Sequence, residues 1–87
     1  MVVDQLKIRE YTDDSNKFYV YFQKLNQTLL IAIPDQFWSV EISNDLSIEE
    51  INETLLMQFF TFNDENEAEN LANKVTSWIE TILKEND

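Results

Sequence analysis

The sequence predicts an α+β fold, in which a four-stranded antiparallel sheet formed as an N-terminal meander packs against two C-terminal helices. Three observations predict it. Apolar residues up to Ser43 either alternate with a two-residue period or run continuously over strand-length segments, those after Leu46 recur with helical spacing, and short polar turns separate the segments. A loose helical bundle fits the pattern less well.

In residues 2–11, Val2, Leu6 and Ile8 are apolar while Gln5, Lys7 and Arg9 are polar, the period of a half-buried strand. Residues 12–16 (Thr-Asp-Asp-Ser-Asn) read as a turn, because short Asx and Ser side chains bond their own backbone. Residues 18–25 are aromatic or aliphatic on both parities, as in a central strand covered at least partly on both faces. Asn26-Gln27 then closes a hairpin onto a third strand over Thr28–Ile33. Pro34-Asp35-Gln36 makes the next turn. In a fourth strand over 37–43, Trp38, Val40 and Ile42 alternate with Ser39 and Glu41.

The helical half begins at Ser47, where Glu50 three residues later completes a capping box and Leu46 can staple onto Ile51. Ile48, Ile51, Leu55 and Phe59, widened by Leu56, give the first helix its stripe over 47–60. After a break near Phe62, a second helix over 64–84 is capped by Asn63 or Asp64. Its stripe is Ala68, Leu71, Val75, Trp78 and Ile82, flanked by Ala72 and Ile79. The expected core is Ile8, Phe22, Ile31, Val40, Ile51, Leu55, Leu71, Val75 and Trp78.

Residues 1–87 read as a single acidic domain, since a chain of this length buries only about 60–65% of its unfolded surface and needs one dense core. The hydrophobic fraction of 44% falls in periodic segments, which argues against disorder despite a net charge of -11. Glycine is absent, so positive φ is expected at Asn16, Asn26, Asn44 or Asn63. This composition, rich in Asn and Ile, is what an AT-rich bacterial or phage genome produces. The longest apolar runs are far short of the roughly 20 residues that span a bilayer, and no signal-peptide pattern is present, so a cytoplasmic protein is expected.

Histidine and cysteine are both missing, which removes the commonest general base, the usual nucleophile activators and the usual zinc ligands. No enzymatic activity, metal or cofactor is expected. Asp64 and Asn66 imitate the start of a calcium loop, but Ala68, Glu69 and Val75 stand where its fifth, sixth and twelfth positions need a ligand, Gly and Glu. Acids at a helix N-terminus account for that run. Six bases against 17 acids disfavour direct nucleic-acid binding.

The charge is lopsided. Residues 25–73 contain no Lys or Arg but ten acids, whereas the first 24 residues balance four acids with four bases. Glu49, Glu50 and Glu53 share a helix flank with Met57 and Phe60, and Asp64, Glu65 and Glu69 follow at the start of the second helix. Such a face fits a basic protein surface, as in an inhibitor or DNA mimic directed at a nucleic-acid-acting protein. A face that only keeps the protein solvated is the plainer reading. The alternative function is a small homodimeric interaction domain that associates through an aromatic sheet face containing Tyr19, Tyr21 and Phe37.

Overall fold

The computed structural model describes residues 6–13 and 17–84. Its elements are β1 (Lys7–Thr12), β2 (Lys17–Lys24), β3 (Thr28–Ile33), a 3-10 turn (Pro34–Gln36), β4 (Trp38–Ser43), α1 (Ile48–Phe59) and α2 (Glu65–Lys84). The α+β order of four strands followed by two helices is therefore as expected. The chain forms two compact units, which meet in sequence between Asp45 and Leu46.

In the first unit the strands lie in the order β1-β2-β3-β4, each antiparallel to the next. The Leu25 N–H donates to the Thr28 carbonyl at 2.8 Å and closes the Asn26-Gln27 loop. Directly paired residues share a face, so the register collects Tyr11, Phe18, Val20, Phe22, Leu29, Ile31, Ile33 and Ile42 on one buried face. Tyr11 and Phe18 stack there with ring centroids 5.0 Å apart.

That register corrects the first strand. Arg9 pairs with Val20 and Tyr11 with Phe18, so the odd residues of β1 share the buried face. Ile8 pairs with Tyr21 on the opposite face and is 47% exposed, not buried as expected. A period of two separates the sides of a strand but does not say which side is inward; pairing decides that. Val2 and residues 14–16 of the expected turn, Asn16 among them, lie outside the described residues. Val40 is on the buried face of the edge strand β4 but half-buried, whereas Ile42, two residues on and paired with the fully buried Leu29, is buried.

The β3–β4 connection brings a second correction. Phe37 is not a strand residue: its φ of 52° and ψ of 44° place it in the left-handed region, where its N–H donates to the Pro34 carbonyl at 3.0 Å. Among the described residues it is the one with positive φ, so Asn26, Asn44 and Asn63 do not fill that role. Pro34 supplies the fixed φ that starts the turn. With no glycine in the chain, closing the four residues between the Ile33–Trp38 pair forces an L-residue through αL, at a cost of about 1–2 kcal/mol.

In the second unit, Ser47 caps α1 as expected. The Glu50 N–H donates to Ser47 Oγ at 3.1 Å and the Ser47 N–H donates to Glu50 Oε1 at 2.9 Å. Ile51, Leu55 and Phe59 form its buried stripe. Asn63 Nδ2 reaches back to the Phe59 carbonyl at 3.3 Å, so Asn63 finishes α1, while Asp64 Oδ1 accepts the Glu67 N–H at 2.8 Å and caps α2.

The buried residues of α2 are Ala68, Leu71, Ala72, Val75, Thr76, Ile79 and Ile82. Trp78 is half-buried rather than a core residue. At about 100° per residue the stripe centres between Val75 and Ile79, leaving Trp78 on its border, where Lys74 Nζ lies 5.3 Å from the ring centroid.

Candidate functional site

The two helices form an antiparallel hairpin clasped by one amide. Asn52 Nδ2 donates to Asn73 Oδ1 at 3.0 Å and to Thr76 Oγ1 at 3.3 Å, across 21 and 24 residues of sequence. Beside this clasp lies an open groove of about 490 Å³. Its lining includes the buried Thr76, the half-buried Asn52 and Glu80, and the exposed Glu49 and Glu53, with Ile48, Asn73 and Ser77 completing it.

Local structure explains why carboxylates gather there. The capping box fixes where α1 starts, and from that start Glu49 and Glu53 stand one turn apart on the side that borders α2. Like charges at this spacing disfavour a helix by about 0.2–0.5 kcal/mol. Neither has a counter-charge: among the described residues neither Glu49 nor Glu53 forms an ion pair. Glu80 differs, since Lys84 Nζ sits 3.2 Å from its Oε2 one turn further along α2.

The expected site residues separate into groups. Glu50 and Asp64 are exposed but committed to capping α1 and α2. Glu65 and Glu69 are exposed in the first two turns of α2, where the helix dipole favours acids. Met57, 72% exposed, and Phe60, 45% exposed, continue along α1 the exposed flank on which Glu49 and Glu53 edge the groove. Thus the structure unites Glu49 and Glu53 in one groove and adds Glu80, Asn52, Asn73 and Thr76, which sequence reasoning missed. Asn52 follows Ile51 and Thr76 follows Val75, so each polar residue adjoins a buried stripe, but nothing local pairs the two across the hairpin.

A second surface belongs to the first unit. Tyr19, 43% exposed, and the half-buried Tyr21 share the open sheet face with Ile8, Leu30 and Ala32. Leu6, Tyr21, Gln23, Leu30, Ala32 and Pro34 line a shallow depression of about 220 Å³ on it. Phe37, at the β3–β4 turn, is 98% exposed.

Chemically the helical groove offers hydrogen-bond acceptors and negative charge. Among the described residues, no group of three His, Cys, Asp or Glu is placed to hold a metal ion, and no helix is long and apolar enough to cross a membrane.

The sequence matches a family model described as YueH-like protein over residues 4–81. The chain belongs to the YueH-like family. No curated protein and no solved structure matches it. The match runs from before β1 to near the end of α2, so the helical groove through Glu80 and the open sheet face both lie within the region that defines a YueH-like protein.

Proposed function

We propose that this YueH-like chain is a non-enzymatic binding protein that engages a basic protein surface through the α1–α2 groove and the adjoining outer side of α1. The observation that carries this reading is the pair of carboxylates Glu49 and Glu53, which form no ion pair among the described residues, beside a groove whose volume of about 490 Å³ accepts the aliphatic stem and charged head of a Lys or Arg side chain. Guanidinium and ammonium groups need charged acceptors together with neutral ones, and Asn52, Asn73, Thr76 and Ser77 provide the latter. Met57 and Phe60 add exposed apolar area beside the acids, the composition of a protein-binding surface rather than of a purely solvated one. Basic surfaces of this kind are typical of proteins that handle nucleic acids, so the partner class is a nucleic-acid-acting protein and the effect is inhibition by competing with phosphates.

The test starts from a partner recovered from the native host and measures its affinity for the full chain and for Glu49→Gln/Glu53→Gln. Gln keeps the side-chain shape and leaves the capping box intact. Affinity should fall at least about tenfold, mainly through a slower on-rate, and duplex DNA should compete with the wild-type chain. The Lys7→Ala and Arg9→Ala variants should bind as the wild type does. Affinity indifferent to the double Gln substitution, or binding undisturbed by DNA, refutes the respective half of the proposal.

A further inference from the structure

The geometry points to a two-fold dimer of this chain in which Phe37 of each copy inserts into the apolar depression on the open sheet face of the other. This inference is independent of the acidic groove. Two observations on the first unit meet in it, a projecting knob and a hole of matching size.

The knob is Phe37. It is 98% exposed, and its backbone is held in the left-handed region that disfavours a bulky residue. The neighbouring Gln36 Oε1 is buried with no hydrogen-bond partner among the described residues. A turn with two local penalties that presents a phenyl ring to water gains nothing visible within its own unit. Strain of this sort concentrates at binding sites, where a contact made by the strained residue offsets it.

The hole is the depression of about 220 Å³ lined by Leu6, Tyr21, Gln23, Leu30, Ala32 and Pro34, with a lining that is almost entirely apolar. An apolar cavity of about 150 Å³ is enough to take up benzene, so a phenyl ring fits. Pro34 belongs to both features, since it lines the hole and accepts the Phe37 N–H at 3.0 Å. Knob and hole are thus neighbours on one surface, and a two-fold axis beside them satisfies both insertions at once.

Charge and area select a second copy as the occupant. The chain carries -11 overall, yet the segment from Lys17 to Ser43 holds two bases, Lys17 and Lys24, and two acids, Asp35 and Glu41. Copies meeting there escape the repulsion expected elsewhere. The rim acids are also occupied internally: Glu10 Oε2 lies 3.8 Å from Lys17 Nζ, and Glu41 Oε2 accepts the Thr28 hydroxyl at 2.6 Å. Four strands about 4.8 Å apart and roughly 20 Å long present about 400 Å² of face. An inserted Phe adds about 200 Å² per copy, giving on the order of 1,200 Å² in total, the lower bound of a specific interface.

Sedimentation of the full chain tests this with two variants that act on opposite partners. Phe37→Gly removes the knob and relieves the positive φ, so it should be monomeric, weaker in self-association by on the order of 100-fold or more, and at least as thermally stable as the wild type when both are melted at concentrations dilute enough for the wild type to be monomeric. Ala32→Phe fills the hole and should also be monomeric. Mixed together, Phe37→Gly supplies an intact hole and Ala32→Phe an intact knob, so a heterodimer with one insertion should form and sediment above either variant alone. A wild-type chain that stays monomeric at about 1 mM overturns the inference. So does a dimer unaffected by Phe37→Gly, which points to another interface, or a mixture no heavier than its components. Folding of each variant is checked by circular dichroism, and Leu30→Ser provides a second disruption of the hole if Ala32→Phe does not fold.

Discussion

Phe59 and Trp78 show how differently two aromatic residues of one helical unit contribute. Phe59 is fully buried and meets Phe62 edge-on at 5.9 Å between ring centroids, whereas Trp78 borders its stripe beneath the Lys74 ammonium. Phe59→Ala therefore empties a packed site and should cost about 3–5 kcal/mol, a large part of the stability of so small a chain. Trp78→Ala removes a half-buried ring and one cation–π contact, and should cost only about 1–2 kcal/mol. Denaturant titration of both variants checks the order. Equal losses, or a larger one at Trp78, contradict the placement of the α2 stripe. The periodicity of α2 was readable in the sequence, but its centre was not, because Ile79 and Trp78 are both apolar and differ by only one step around the helix.

At the level of elements, α1 and α2 depend on polar devices that differ in legibility. Ser47 and Glu50 were recognisable three residues apart, and both reciprocal hydrogen bonds form. Ser47→Ala leaves the Glu50 N–H without its side-chain acceptor and should cost about 1 kcal/mol, seen as a lower urea midpoint at unchanged slope. No change in that midpoint means the cap is satisfied by water instead. The Asn52 clasp spans 21 and 24 residues and no local rule announces it. Asn52→Ala leaves the buried Thr76 hydroxyl without that donor and should cost about 1–3 kcal/mol, whereas Asn73→Ala, at an exposed position, should cost less. A reversed order shows that the Asn52–Asn73 bond, and not the Thr76 bond, holds the hairpin. The β strands follow the same division. Their alternation was legible, but the side of β1 that turns inward came from the pairing of Tyr11 with Phe18.

Across the whole molecule the charge distribution sets the response to salt. From Leu46 onward the chain holds ten acids and two bases, and Glu49, Glu53, Glu65 and Glu69 form no ion pair among the described residues. Self-repulsion of this kind destabilises a compact state and is screened as the Debye length shrinks from about 14 Å at 50 mM toward a few Å near 1 M. Raising NaCl from 50 to 500 mM should therefore raise the melting temperature, each kcal/mol of relief being worth about 4–8 °C in a chain of this size. A melting temperature that is flat or falls with salt shows that the acids are already compensated. Under the proposed function the same screening should weaken binding to a basic surface, so stability and binding would then move in opposite directions with salt.

By itself the sequence determined what depends on neighbours along the chain. Strand and helix periods, the hairpin loop at Asn26-Gln27, the cap at Ser47 and the concentration of acids in residues 25–73 are all local patterns, and local hydrogen bonds and side-chain alternation carry them. Tertiary structure decided what depends on residues far apart. Strand pairing turned Ile8 outward and Tyr11 inward, and loop closure between Ile33 and Trp38 placed Phe37 rather than an Asn in the left-handed region. The helical hairpin set Glu80 beside Glu49 and Glu53. Each of these choices requires a partner many positions away, and a periodic pattern contains no record of which distant residue that partner is.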